Sequence, residues 1–345
     1  MQEDSMTKHS ILDLSNRAML LLIVPHGRAE DIAHYALAEG TSGVTAFPGH
    51  GTVPKRLLRA LGLDEVRREL VVIILPELEA ASDLLEKIKL AGHLEKNVFS
   101  IAFIQPLLDL NENGQLNLEQ DISPSKADYR SLLVIVDRGE GTTVVDIARQ
   151  NGAVGATIIE AMGSADHSAQ VFDFEINPRK DLVLLVTDKE KAETIQQVLL
   201  DALRSSTPGG GISFMLNVTE TLGIKGLGDE TALLGGSWTA PTPSPHTALF
   251  ILVNRPKTKK LIRTCEAAGS AGATIIHGRG IKKAKVGSVF FKESFDVERN
   301  LVLMLIKEEQ EQTILRALRD LNETDTECAL SVTATDAINF QKFSD

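Results

Sequence analysis

Few residues in this chain have types and spacings that could do chemistry. Gly209, Gly210 and Gly211, in SSTPGGGIS, could gather backbone amides around a phosphate, with Ser206 and Thr207 alongside. The same stretch also reads as a plain turn ahead of a strand. Arg279, Lys282, Lys283 and Lys285 form a basic group that could neutralise a nucleotide or carboxylate in a neighbouring cleft; it also reads as a solvated loop. Lys55, Arg56 and Arg59 form a similar group, although RLLRALG also has the pattern of a short helix. His26, His50, His167 and His277 fall near strand ends or loops, with neither an HExxH pair nor a dense ligand spacing, so no metal centre is predicted. There is no complete Walker A sequence and no GxSxG elbow. Strand spacing forces no acid and base together, so no catalytic residue and no enzyme activity are expected.

These residues must be positioned by elements, and the elements are written three times. GVTAFPGHG spans Gly43–Gly51, GATIIEAMG spans Gly155–Gly163 and GATIIHGRG spans Gly272–Gly280. The shared threonine is Thr45, Thr157 or Thr274; the shared final glycine is Gly51, Gly163 or Gly280. Ahead of each copy lies an aliphatic run, LLLIV, LLVIV or LFILV, ending 19 residues before the first glycine of the segment. A second run follows each copy: LVVII, LVLLV and LVLML. A period this long reads as repeated domains rather than as a solenoid of small repeats.

Each repeat reads as strand, helix, two strands, helix, strand. The first helix carries Ile32, Val144 or Leu261, then Ala33, Val145 or Ile262, then Ala36, Ala148 or Cys265, on one face. Cys265 thus stands where the sister repeats have alanine, which argues for a small buried side chain rather than a nucleophile. Cys328 reads as part of an alternating strand, CALSV. Gly40, Gly152 and Gly269 sit where a helix C-terminus favours positive φ. The order βαββαβ predicts an α+β fold of three ferredoxin-like domains, at 17–110, 129–222 and 247–335, joined by polar or Gly/Pro-rich linkers. Both helices of such a unit cover one sheet face. The first strands are apolar at every position, so the other face also needs a cover. The simplest cover is the sheet of another repeat, which predicts an intramolecular pseudo-trimer.

The chain of 345 residues is 43% hydrophobic, 24% charged and 4% aromatic, with a net charge of -11. That balance disfavours a broad nucleic-acid surface and adhesion to anionic membranes. Aromatic stacking platforms for bases are scarce. Two cysteines make no disulfide framework, and no run is long enough to cross a bilayer, so a cytoplasmic protein is expected.

The order and spacing of these repeats resemble the nitrogen-regulatory P-II (GlnB/GlnK-like) superfamily, most clearly in GATIIHGRG with VFFKESFDVERNLVLMLIKEEQ and in FDFEINPRKDLVLLVTDKEK. The first repeat matches better at its front than at its back. The resemblance implies a trimeric ferredoxin-like body with adenine nucleotides in its clefts, in some members with 2-oxoglutarate and magnesium. It also implies loops that engage a transporter, an enzyme or a transcription factor, here near 51–68, 164–178 and 281–297. By that resemblance Thr45, Thr157 and Thr274 would face the base, and Gly51, Gly163 and Gly280 would sit at the loop roots. Gly209, Gly210 and Gly211 would match the glycine-rich turn before the last strand. The lysine after that turn, the paired arginines beyond the last strand and the loop tyrosine are absent. The expected function is a non-catalytic regulator that binds a small effector between domains, with an adenine nucleotide as the implied ligand and a protein as the target. A membrane protein could serve as that target, with no insertion of this chain into the bilayer. The other reading is an interaction protein whose clefts have degenerated.

Overall fold

The computed structural model describes residues 18–52, 65–92, 94, 100–108, 129–164, 170–171, 174–175, 179–204, 210–224, 234–235, 244–282 and 297–343. Within them the chain is mixed α+β, with one large antiparallel sheet and six α-helices. The first repeat contributes β1 (Ala18–Pro25), α1 (Ala29–Ala38), β2 (Gly43–Thr52), β3 (Glu65–Leu75), α2 (Leu78–Leu90) and β4 (Ile101–Pro106). The second contributes β5 (Tyr129–Asp137), α3 (Gly141–Gln150), β6 (Thr157–Gly163), β7 (Arg179–Asp188), α4 (Lys189–Leu203) and β8 (Ile212–Val218). The third contributes β9 (His246–Asn254), α5 (Thr258–Ala267), β10 (Thr274–Lys282), β11 (Val297–Lys307), α6 (Glu308–Thr324) and β12 (Ser331–Asp336).

Strand order is the same in each repeat. The first strand pairs with the third and the fourth, and the third pairs with the second, all antiparallel. The second strand is therefore an edge, with backbone N–H and C=O groups open to a further partner. That partner is the second strand of another repeat. Gly51 pairs with Thr157, Gly163 with Thr274 and Gly280 with Thr45. The arrangement is cyclic, so each repeated glycine meets the repeated threonine of the next repeat.

A second cyclic link runs the other way. The residue two beyond each last strand, or its neighbour, reaches back to the preceding repeat: Thr219 N donates to Ile104 O at 3.0 Å and Leu108 N to Ala334 O at 2.7 Å. In the third repeat the tail strand Ile338–Lys342 pairs with β8, and Phe343 enters the helix-side core of the second repeat. Glu220–Leu222 likewise adds a strand beside β4.

Alternation explains the wholly apolar first strands. Leu20, Leu22 and Val24 face α1 and α2, while Met19, Leu21 and Ile23 face inward. Leu132, Val134 and Val136 face α3 and α4, while Leu133 and Ile135 face inward. Leu249, Ile251 and Val253 face α5 and α6, while Ala248, Phe250 and Leu252 face inward. The inward sets of all three repeats form one shared hydrophobic cluster. The expected helix faces are the buried ones, and Gly40, Gly152 and Gly269 adopt φ of 101°, 93° and 102°.

Three local expectations change. Gly51 and Gly280 lie within strands, one and two residues before β2 and β10 end: Thr52 pairs with Glu65 of the same repeat, and Ile281 and Lys282 pair with Val44 and Gly43 of the first repeat. Cys328 is not in a strand. Ala329 turns into the left-handed region (φ 46°), so Thr326–Cys328 form a 3-10 turn and β12 starts at Ser331. Within the expected linker after 222, Leu234–Gly235 form a strand that pairs with Glu220–Thr221.

Close approach at one seam requires a missing side chain. A Cβ on Gly278 would stand 2.5 Å from the Phe47 ring and 2.8 Å from Ala46 O, both in the first repeat. Gly278→Ala is predicted to cost about 1–3 kcal/mol by overpacking, read as a lower urea midpoint. Ala161→Gly, at the equivalent position of the second repeat, should cost about 1 kcal/mol or less. Equal effects at the two positions would contradict this reading.

Candidate functional site

In the third strand of each repeat a polar pair stands just before the Leu-Val run: Arg68 and Glu69, Lys180 and Asp181, or Arg299 and Asn300. The acidic or amide member points at the start of the first helix. Glu69 Oε2 accepts from Gly27 N at 2.8 Å and Ala29 N at 3.2 Å. Asp181 Oδ2 accepts from Gly139 N at 2.8 Å and Gly141 N at 3.2 Å. These N–H groups lack intrahelical partners and carry the positive end of the helix dipole, so a carboxylate stabilises them. Gly27 (φ 87°) and Gly139 (φ 95°) provide the left-handed turn that aims the first donor. In the third repeat the equivalent residue is neutral and donates towards the helix instead: Asn300 Nδ2 donates to Thr258 Oγ1 at 2.8 Å, and its Oδ1 lies 2.8 Å from His277 Nδ1.

These groups lie beside the seams, where the candidate residues also fall. Thr45, Thr157 and Thr274 are all buried, opposite Gly280, Gly51 and Gly163 respectively. The glycines leave room beneath. A Cβ on Gly51 would lie 3.2 Å from Arg68 Nε, and one on Gly280 would lie 3.0 Å from Arg299 Cγ. Arg68 and Arg299 are themselves buried, and that burial lowers the pKa of each guanidinium.

Arg279 crosses from the third repeat to the first and donates to Glu69 Oε1 at 2.5 Å; His26 Nδ1 lies 3.6 Å from the same oxygen. The guanidinium is half exposed, while the carboxylate side chain is 3% exposed. Arg279 is therefore engaged by a buried acid. At the third repeat the cations pair with more exposed acids: Arg255 with Glu298 at 3.0 Å and Lys257 with Glu327 at 2.7 Å. Lys257 and Lys260 also share Asp325, whose carboxyl they pull down to about 2.

The glycine turn lies elsewhere. β8 and β6 are opposite edges of the second repeat's strand set, with β5 and β7 between them, so Thr157 and Gly163 do not meet Gly210 or Gly211. A Cβ on Gly211 would stand 2.7 Å from the Phe343 ring and 2.8 Å from Ile135 O. Phe343 N also donates to Gly211 O at 2.9 Å. The tail thus accounts for this glycine without a phosphate. Gly209, Lys283, Lys285, Lys55, Arg56, Arg59, Ser206, Thr207 and His167 lie outside the described residues. Lys282 ends β10 with its backbone paired to Gly43.

Among the described residues no three His, Cys, Asp or Glu side chains converge as a metal-ligand set. No helix among them is long and apolar enough to cross a membrane. Cys265 is buried, and its thiol is pushed up to about 12 by that burial.

The pattern missed one acidic cluster. Thr247 Oγ1 donates to Glu311, and Asp336 lies across from Thr247 between β9 and β12. Burial raises the Asp336 carboxyl to about 6 and also raises Glu311, which feels Glu308 and Asp336 as well. Sister repeats have Ala81 and Ala192 where Glu311 stands, so the substitution of an acid for a buried alanine was the available signal.

Protein-family models give no match to this chain, and no curated protein matches it. Solved structures give weak similarity. An aspartate kinase from Synechocystis is 12% identical, with 92% of this chain covered, 43% of that chain covered and a TM-score of 0.22. A putative monooxygenase from Fusobacterium nucleatum is 8% identical, with 64% and 96% covered and a TM-score of 0.20. The chain thus spans less than half of the kinase. At such TM-scores neither similarity bears on fold or activity.

Two outcomes follow from this geometry. Glu69→Ala should cost about 1–3 kcal/mol, because the buried Ala29 amide and the more exposed Gly27 amide lose their acceptor, whereas Arg279→Ala should cost about 1 kcal/mol or less for its half-exposed guanidinium. Urea unfolding with the reverse order would refute the assignment. The second outcome concerns pH. The native Asp336 carboxyl titrates at about 6 against an ordinary 3.8, so between these values the folded state holds a proton that the unfolded state has lost. Stability from this group therefore falls as pH rises from 4 to 6, by about 3 kcal/mol in all. Asp336→Asn should match wild type at pH 4 and gain on it by pH 7; a constant difference would contradict the shift.

Proposed function

We propose that this chain is a non-catalytic regulator of the P-II type. Its three repeats act as ferredoxin-like domains closed into an intramolecular pseudo-trimer, with domain limits near 17–110, 129–222 and 247–335. A small anionic effector binds at a cleft beside a seam, and an adenine nucleotide is the first candidate. Effector binding alters the chain at the seam-side strand ends, near Thr52, Ser164 and Lys282. A partner protein reads that change. An effector acts this way only if it binds one arrangement of those strand ends better than another.

The observation that carries the reading is the cyclic register Gly51 to Thr157, Gly163 to Thr274 and Gly280 to Thr45. It puts the same residues at the same place in three clefts, as a subunit trimer would. The clefts differ in charge. Glu69 and Asp181 already satisfy the helix amides that an anion would use in the first two repeats. In the third repeat Asn300 carries no charge, and Arg255 is held by the exposed Glu298, which an anion could displace at small cost. The third repeat, with His277, Asn300 and Arg255, is therefore the assigned effector site. The internal carboxylates at the other two clefts favour the second reading, an interaction module without an effector.

Titration calorimetry against ATP, ADP, AMP, cyclic nucleotides and 2-oxoglutarate separates the two. The regulator should give binding heat with at least one of them, weakened tenfold or more by Asn300→Asp. Silence from all of them, with no thermal shift, would favour the interaction module.

A further inference from the structure

The inward faces of the three repeats enclose a cavity of about 30 Å³ lined by side chains from all of them, among them Leu21, Leu133 and Phe250. Its wall is apolar except at two places. Gln105 on β4 is 1% exposed and Ser131 on β5 is 0% exposed. Among the described residues neither Gln105 Nε2 nor Ser131 Oγ has a hydrogen-bond partner. A buried polar group without a partner is costly, and native proteins rarely leave one so. Two such groups on a single small cavity point to a shared ligand.

The sister repeats sharpen the point. Gln105 lies opposite Met19, Ser131 opposite Leu216, and Ala248 opposite Thr335. The position of Ser131 is thus methionine or alanine in the other repeats, and that of Gln105 is leucine or threonine. Each polar side chain departs from an apolar residue that the same place accepts elsewhere.

We propose that this cavity is a binding site for structural water, held by Gln105 of the first repeat and Ser131 of the second. Size limits the ligand, since about 30 Å³ admits one or two waters and no organic effector. Charge limits it further: one amide and one hydroxyl in an apolar wall offer an ion no counter-charge. A water can accept from the Gln105 amide and exchange a hydrogen bond with the Ser131 hydroxyl, each group satisfying the other through it. The proposal is independent of any effector site.

The sister repeats also supply the test, Gln105→Leu and Ser131→Ala. With a bridging water, either single substitution strands the remaining group, so each lowers the melting temperature by a few degrees. The double variant then regains part or all of the loss. If each single substitution raises the melting temperature, or the two effects simply add, the bridge does not exist. A high-resolution crystal structure of the unaltered chain gives a second readout. Density within hydrogen-bond distance of both side chains is expected, and its absence overturns the proposal.

Discussion

An edge strand and a bare sheet face are two forms of one problem: a βαββαβ unit by itself leaves both unsatisfied. The second strand has one row of backbone groups without partners, and the face away from the helices is lined by residues such as Leu21, Leu133 and Phe250. Pairing β2, β6 and β10 with one another meets the first demand, because each strand lends its start to one neighbour and its end to the other. The same closure turns the three faces inward onto one core. Burying a leucine there is worth roughly 2–3 kcal/mol, and no single repeat could obtain that without its neighbours. The tails act in the opposite sense around the ring, so each repeat is held from both sides.

Covalent linkage of the repeats frees them to differ at equivalent places, and the polar row on the third strands shows it. Glu69, Asp181 and Asn300 occupy one position, yet two are carboxylates that cap a helix and one is an amide bonded to Thr258 and His277. Arg279 has become an inter-repeat ligand of Glu69, where the equivalent residues are His50 and Met162. Glu311 places an acid in a helix–sheet junction where the sister repeats have alanine, and Asp336 stands where they have Pro106 and Asn217. A homotrimer could vary none of these without changing all three copies.

The elements were largely legible in the sequence, and their partners were not. Ile32, Val144 and Leu261 mark helix faces because that signal is local and periodic. The need to cover a second sheet face was visible in LLLIV for the same reason. Seam register is a long-range fact, so the shared glycine of GATIIHGRG read as a loop root although it sits inside a strand. Gly211 misled in the same way. Its lack of a side chain is explained by Phe343, which only the folded tail brings near. Cys328 fell outside β12 because Ala329 adopts a left-handed turn that alternation does not reveal. The row Glu69, Asp181 and Asn300 was readable as a polar residue just before each LV pair. Its role at the helix start needed the helix and strand placed together.

Hydrogen exchange along the seams tests the cyclic closure most directly. In the intact chain, amides of β2, β6 and β10 that face a neighbouring repeat should exchange as slowly as central amides of β1, β5 and β9, opening only with global unfolding. Seam amides that exchange orders of magnitude faster, while the central strands stay protected, would show three separate sheets and contradict the account.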